Sequence, residues 1–436
     1  MKLRVIFLSL SLAFATSILH ADITMQLQTL MDGITNPVNP TDPTHQDFAP
    51  GISVAVYDTS QMSNVITLVS GLNNIQDPQQ LSPSNLFELG SVTKTYTAVL
   101  TLQLVEQGQL SLSQTMESIA KQSFNPYASQ LQALITQYPF LANITLQQVL
   151  NHTSGLQDFQ TSPDWMPMLL SNRYESKSLS DLTGMGLAQG QISGPPAFHY
   201  SGSNYVLLGM IIQSVTGQAY STILHRNIIQ KLNLQSTYYL PVDQSTTLPQ
   251  GLLAHGYEWV NDNDPVQDQN YQIFVAQAPS LPHFIPTFYN TEGYGLVDVK
   301  LGLDPSLTGL SAGSLVATPY DLALMTYALF NHQLINTATL QSMMGGPDYR
   351  NLVLTNEGFA NVVVYYGLGL YCLQLQSGER VWAQLGDEYG YQSGSLYFPK
   401  EHTIVTYSFN TEMSNTLALY FFTNVINIVT NSNVVN

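Results

Sequence analysis

Positive charge is scarce in this sequence. Its 436 residues carry 12 lysines and arginines against 29 aspartates and glutamates, a formal charge of −17. So few cations cannot neutralise a phosphate backbone or an anionic headgroup surface, which excludes nucleic acid and acidic lipid as partners. Charged residues of either sign make up only 9%, so solubility rests on Asn, Gln, Ser and Thr. The single cysteine, Cys372, rules out an intrachain disulfide; in its apolar, strand-like run a buried, inert thiol is expected. His199 and His255 lack metal-ligand spacing, and neither a metal nor another cofactor is expected. Beyond the N-terminus no apolar run is long enough to span a bilayer, so no stable membrane anchor is expected.

What is present begins with MKLRVIFLSLSLAFATSILHA. Lys2 and Arg4 form a charged start, Val5 to Ala15 an apolar core too short to span a bilayer, and Leu19-His20-Ala21 a cleavage site. Residues 1–21 are therefore expected to be a signal peptide, and the protein to be exported, periplasmic or secreted. Losing Lys2 and Arg4 takes the charge to −19 (−17 − 2). Residues 22–50 are polar and proline-rich and are expected to drape over the surface as a leader. The rest, 51–436, is expected to be one domain. ISVAVYDT (52–59) and VITLVSG (65–71) predict a hairpin, and the C-terminal third predicts more strands at 362–374, 380–386, 391–399 and 403–410. A last apolar helix covers 416–429. Strands at both ends with helices between them imply an α/β protein of the α+β type. One antiparallel sheet is drawn from both chain ends, flanked by helices, with a helical subdomain inserted. From about 258 to 308 prolines and aromatics break the pattern; this irregular insertion is expected to form a flap beside the functional site.

That site is expected in FELGSVTKTYTAVLTLQLVEQGQL, Phe87 to Leu110. A short apolar piece turns at Gly90 into a helix whose Ala98, Leu102 and Val105 share one apolar stripe, and Gly108 ends it. Ser91 opens the helix and Lys94 follows three residues on, on the same face. A serine hydroxyl is a weak nucleophile until a base takes its proton, and a desolvated lysine can be that base. The helix start adds N–H groups and a positive dipole end for a developing oxyanion. The spacing alone is common; chance gives about one S-x-x-K in such a chain. A second, Ser118 to Lys121, lies in a polar helical stretch with no turn before it and is set aside.

The order of motifs resembles the serine β-lactamase superfamily, in the branch of class C β-lactamases, D-alanyl-D-alanine carboxypeptidases and their esterase and D-aminopeptidase relatives. The carriers are FELGSVTKTYTAVLTLQLVEQGQLSL, VLNHTSGL (149–156), FHYSGSNYVLLGMIIQSVTG (198–217), LAHGY (253–257), LSAGSLVATPYDLA (310–323) and QLGDEYGYQSG (384–394). The resemblance implies the β-lactamase/transpeptidase-like fold, with Ser91 as nucleophile, Lys94 as its base partner and Tyr200 as general acid and base. It also implies an oxyanion hole from the backbone N–H groups of Ser91 and Asp387. Two positions depart from the pattern. Tyr200-Ser201-Gly202 places Gly202 where the family carries a substrate-binding asparagine, and Asn204 stands two residues on. Gln384-Leu385-Gly386 places a neutral amide where the family carries a carboxylate-binding cation. Gly202, Gln384 and Gly386 are thus the expected substrate-contacting positions, with weakened grip on a carboxylate. His152 is expected to be structural.

The expected function is an exported serine hydrolase that forms an acyl-enzyme on an ester, amide or lactam carbonyl of a small-molecule or peptide substrate. The alternative is a non-catalytic binding or scaffold protein of the same fold.

Overall fold

The structure, a computed structural model, describes residues 21–36, 48–60, 65–165, 167–168, 177–194, 197–243, 247–261, 288–289, 294–299, 309–345, 353–354, 362–413 and 415–431. The expected signal peptide apart from Ala21, and most of the expected flap, lie outside these residues.

The main sheet uses β1 (Gly51–Asp58), β2 (Val65–Asn74), β3 (Gln79–Gln80), β4 (Val353–Leu354), β5 (Val362–Tyr366), β6 (Tyr371–Leu375), β7 (Arg380–Glu388), β8 (Tyr391–Phe398) and β9 (Thr403–Phe409). Their order is β4-β5-β6-β7-β8-β9-β1-β2-β3. Every pairing is antiparallel, and the two chain ends meet where β1 lies against β9, with Val54 opposite Tyr407. This is the predicted sheet from both termini. Side chains alternate across it as the pleat requires. Val54, Val56, Val405 and Phe409 join the cluster on one face, whereas Ala55, Tyr57 and Ile404 face Ala323 on the other.

Helix α1 (21–34) corrects the expected surface leader. Ile23, Leu27, Met31 and Ile34 recur at helical spacing and are buried in the cluster that β1, β9 and the C-terminal helix share. Only 37–47 of the former leader falls outside the described residues. Leu27→Ala should cost about 2–5 kcal/mol, read as a lowered midpoint in urea unfolding; an unchanged midpoint would mean that α1 is dispensable to the core.

The helical layer on the opposite face holds α2 (Thr93–Glu106), α3 (Gly202–Thr216) and α4 (Pro319–Phe330). The predicted single stripe on α2 is too narrow, because every residue from Thr93 to Leu104 is buried. Its threonines are accommodated by bonds to distant carbonyls: Thr95 Oγ1 donates to Gly369 O (2.9 Å) and Thr97 Oγ1 to Ser311 O (2.6 Å). Gly108, at φ +68°, ends the helix region as expected. Helix α5 (Asn415–Thr430) packs beside α1 on the first face. A smaller antiparallel sheet, Tyr257–Asn261, Tyr294–Asp298 and Phe288–Tyr289, lies inside the stretch expected to be irregular. Cys372 is buried, and burial pushes its thiol up to about 12. No helix among the described residues is long and apolar enough to cross a membrane.

Candidate active site

Ser91 sits on a single 3-10 turn, Gly90–Val92, wedged between the small strand Phe87–Glu88 and the start of α2. Gly90 takes φ +48° there, and a Cβ on it would run into the backbone of Asp387. Gly386 faces the same junction: its Cβ would strike Leu89 O and stand 2.9 Å from the nitrogens of Ser91 and Val92. Two glycines thus let β7 touch the serine turn backbone to backbone, which brings Asp387 beside Ser91.

Lys94 lies one turn on and is only 3% exposed. Its Nζ is 2.8 Å from Ser91 Oγ and donates to Ala312 O at 2.9 Å. It makes no ion pair among the described residues. The second S-x-x-K is different, since Ser118 is exposed and Lys121 is paired with Glu117 at 2.6 Å on the surface. The structure separates the two matches as context did.

Tyr200 precedes α3, and the Lys94 Nζ stands 5.1 Å from its ring centroid. The ring is stacked on His152 at 4.4 Å and 28°. His152 is fully buried, and its Nδ1 accepts from Ser201 N (3.2 Å). Burial, then the Lys94 charge, holds its imidazole well below the usual histidine range. It is therefore a neutral platform that fixes the tyrosine ring.

Ser91, Lys94, Asp158, Tyr200, Asp387 and Glu388 line one cleft with about 320 Å³ of unfilled space, part of it open to solvent. Gly202, which stands where the family carries an asparagine, also lines it. The space a Cβ would need at Gly202 is held by the Phe159 ring, 2.8 Å away. Asn204 does not replace it. It is buried, with its Oδ1 accepting from Ser154 Oγ (2.6 Å) and its Nδ2 3.2 Å from His152 Nδ1. Asp158 is there instead, taking Gly202 N–H on Oδ2 (2.6 Å) and Gln160 N–H on Oδ1 (3.0 Å).

Gln384 requires a correction. Expected at the cleft wall, it is 2% exposed and absent from the cleft's lining. Its Nε2 donates to Ser91 O (3.0 Å) and Leu385 O (3.2 Å), and its Oε1 is buried without a partner. On β7 it shares a face with Gly386, so it points under the serine turn, and the Ser91 carbonyl captures an amide too short to pass that turn.

Asp158, Glu388 and the Ala312 carbonyl had not been singled out from sequence. Asp387-Glu388 directly after Gly386 was a visible signal; nothing in the spacing marked Asp158. Glu388 is 8% exposed. Burial, with Glu88 adding to it, pushes its carboxyl well above the usual carboxylate range, and Lys94 opposes the shift. No cluster of metal-ligating side chains occurs among the described residues.

A serine on a strand-to-helix turn, a buried lysine one turn on and a tyrosine beside that lysine stand together on a β-lactamase/transpeptidase-like fold. The chain belongs to the β-lactamase family: the model of that family, described as Beta-lactamase, matches residues 39–425. Among solved structures, the D-amino acid amidase from Ochrobactrum anthropi SV3, complexed with L-phenylalanine amide, superposes with a TM-score of 0.70 at 20% identity. It covers 94% of this chain and 99% of its own. The octameric penicillin-binding protein homologue from Pyrococcus abyssi gives 0.63 at 18%, covering 88% and 74%. Among curated relatives, Protein flp of Staphylococcus aureus (strain COL) is 24% identical over 245 residues, 54% of this chain and 45% of that protein. Penicillin-binding protein 4* of Bacillus subtilis is 24% identical over 220 residues, 47% and 43%. The match thus spans less than half the length of these curated relatives.

Proposed function

We propose that this protein is an exported serine acyl-hydrolase that cleaves an amide or ester bond of a small-molecule or peptide substrate through an acyl-enzyme. The observation that carries the reading is the buried Lys94 Nζ at 2.8 Å from Ser91 Oγ. In its neutral form Lys94 takes the Ser91 proton as Oγ attacks the carbonyl carbon. The N–H groups of Ser91 and Asp387 face the oxyanion across the glycine-lined junction. The tetrahedral adduct collapses as Tyr200, reloaded from Lys94, gives a proton to the leaving nitrogen or oxygen. Water then repeats the attack on the ester carbonyl and releases the acid and free Ser91. Two features support amides and esters over penicillins. Gln384 puts no cation into the cleft, and the best-covered of the solved neighbours reported above is an amidase. The charged start and apolar core at the N-terminus support export.

The test is a fluorophosphonate probe followed by peptide mass spectrometry. One equivalent on Ser91 is expected. A label on Ser118, or none in folded protein, would turn the reading toward a binding protein of the same fold.

A further inference from the structure

We propose that Gln384 and Ser393 are positioning residues for the nucleophile. From neighbouring strands of the main sheet they hold the carbonyls on either side of Gly90 and so fix Ser91 Oγ against Lys94. The proposal rests on the hydrolase reading and adds to it two residues that do not touch substrate.

The serine turn runs from Leu89 to Ser91 over Gly90, whose φ of +48° is left-handed. β7 comes so near that Gly386 has no room for a methyl group. Carbonyl oxygens buried at such close range need donors. Leu89 O accepts from Ser393 Oγ (2.8 Å) as well as from Val92 N (3.1 Å), and Ser91 O accepts from Gln384 Nε2 (3.0 Å). Across β7 and β8, Gln384 stands opposite Ser395 and Gly386 opposite Ser393, which puts both donors on the face that meets the turn.

Packing does not force Gln384 into this contact. About 300 Å³ of unfilled space, part of it open to solvent, lies beside it among Val92, Tyr96, Met325 and Trp382. The amide nonetheless lies on the serine turn and leaves its Oε1 buried without a partner among the described residues. The nitrogen must face the turn, because Oε1 in its place would meet two carbonyl oxygens, those of Ser91 and Leu385. An unsatisfied buried acceptor destabilises the fold, and here it accompanies a donor on the nucleophile's own carbonyl. Gln384 is 2% exposed, Ser393 is fully buried, and neither lines the cleft. Their effect on catalysis therefore passes through Ser91.

The experiment measures fluorophosphonate labelling of Ser91 across probe concentrations, which separates the maximal rate from the half-saturating concentration. Gln384→Met keeps the length of the side chain and removes its donor. It should lower the maximal rate about tenfold or more and leave the half-saturating concentration within about twofold. Ser393→Ala should lower the same rate by about three- to tenfold. Thr326→Val is the control, since it breaks the buried hydroxyl contact of Thr326 with Ser395 (2.7 Å) in the same layer. It should lower the thermal midpoint and leave labelling within about twofold. Gln384→Glu gives a readout that stability alone would not move. In its carboxylate form the new side chain opposes the Ser91 carbonyl, and in its protonated form it donates to it. Its labelling rate, divided by that of the unmodified protein at each pH, should therefore rise as the pH falls. This ratio decides the matter if Gln384→Met does not fold. An unchanged maximal rate in Gln384→Met or Ser393→Ala, or a flat ratio in Gln384→Glu, would overturn the proposal, while labelling of the unmodified protein leaves the hydrolase reading standing. A change confined to the half-saturating concentration would also overturn it, by making Gln384 a substrate contact. If the unmodified protein does not label, the hydrolase reading and the positioning role fall together.

Discussion

Ser91→Ala should abolish covalent labelling and lower hydrolysis of any substrate by about 10⁴-fold or more. The Ser91 oxygen is the atom that Lys94 Nζ reaches at 2.8 Å, and alanine leaves that ammonium or amine with only the Ala312 carbonyl. Lys94→Met tests the other half of the pair while filling most of the same buried space. It should lower turnover by about 10²–10⁴-fold, the range of general base catalysis. Its stability cost should be about 1–3 kcal/mol, because the buried Ala312 carbonyl loses its donor. The signature is a large rate loss in a protein that still unfolds cooperatively. Lys121→Met, on the exposed second S-x-x-K, should change neither quantity. A Lys94→Met protein with unaltered turnover would exclude this lysine as the base.

Much of this arrangement was legible in the sequence because it depends on local periodicity. Alternating residues in 52–59 and 403–410 specified strands, and the turn at Gly90 specified where a serine could begin a helix. Features set by long-range contacts were not legible. Gln384 occupies the expected strand position, but its direction is decided by the Ser91 carbonyl, 293 residues away in the chain. The all-round burial of α2 was hidden by its threonines, which look solvent-facing until Gly369 and Ser311 offer them carbonyls. Helix α1 did carry a readable pattern in Ile23, Leu27, Met31 and Ile34. Pro37, Pro40 and Pro43 directly after it mask that pattern, because they make residues 22–50 read as one polar, proline-rich segment. Asp158 became part of the cleft only because Gly202 leaves room for the Asp158–Phe159 segment.

Gly386→Ala should severely damage the site with a single methyl group, and its cause is purely steric. The added Cβ would collide with the Leu89 carbonyl oxygen and stand 2.9 Å from the backbone nitrogens of Ser91 and Val92. These are backbone atoms, not the ends of flexible side chains, so the relief must come from β7 moving away from the serine turn. That movement separates the N–H groups of Ser91 and Asp387, which the proposed oxyanion contact needs together. Losing one oxyanion donor costs about 10²–10³-fold, and the overpacking costs about 1–3 kcal/mol of stability. Phosphonate labelling of Ser91 should slow by at least about a hundredfold, and the thermal midpoint should fall. Gly184→Ala is the matched control. It lies within the helix Leu179–Ala188, has nothing within 4 Å of the new methyl and no positive φ. It should stabilise the protein by about 0.4–1 kcal/mol and leave labelling unchanged. If Gly386→Ala labels as fast as the unmodified protein, the contact between β7 and the serine turn does not set the geometry of attack.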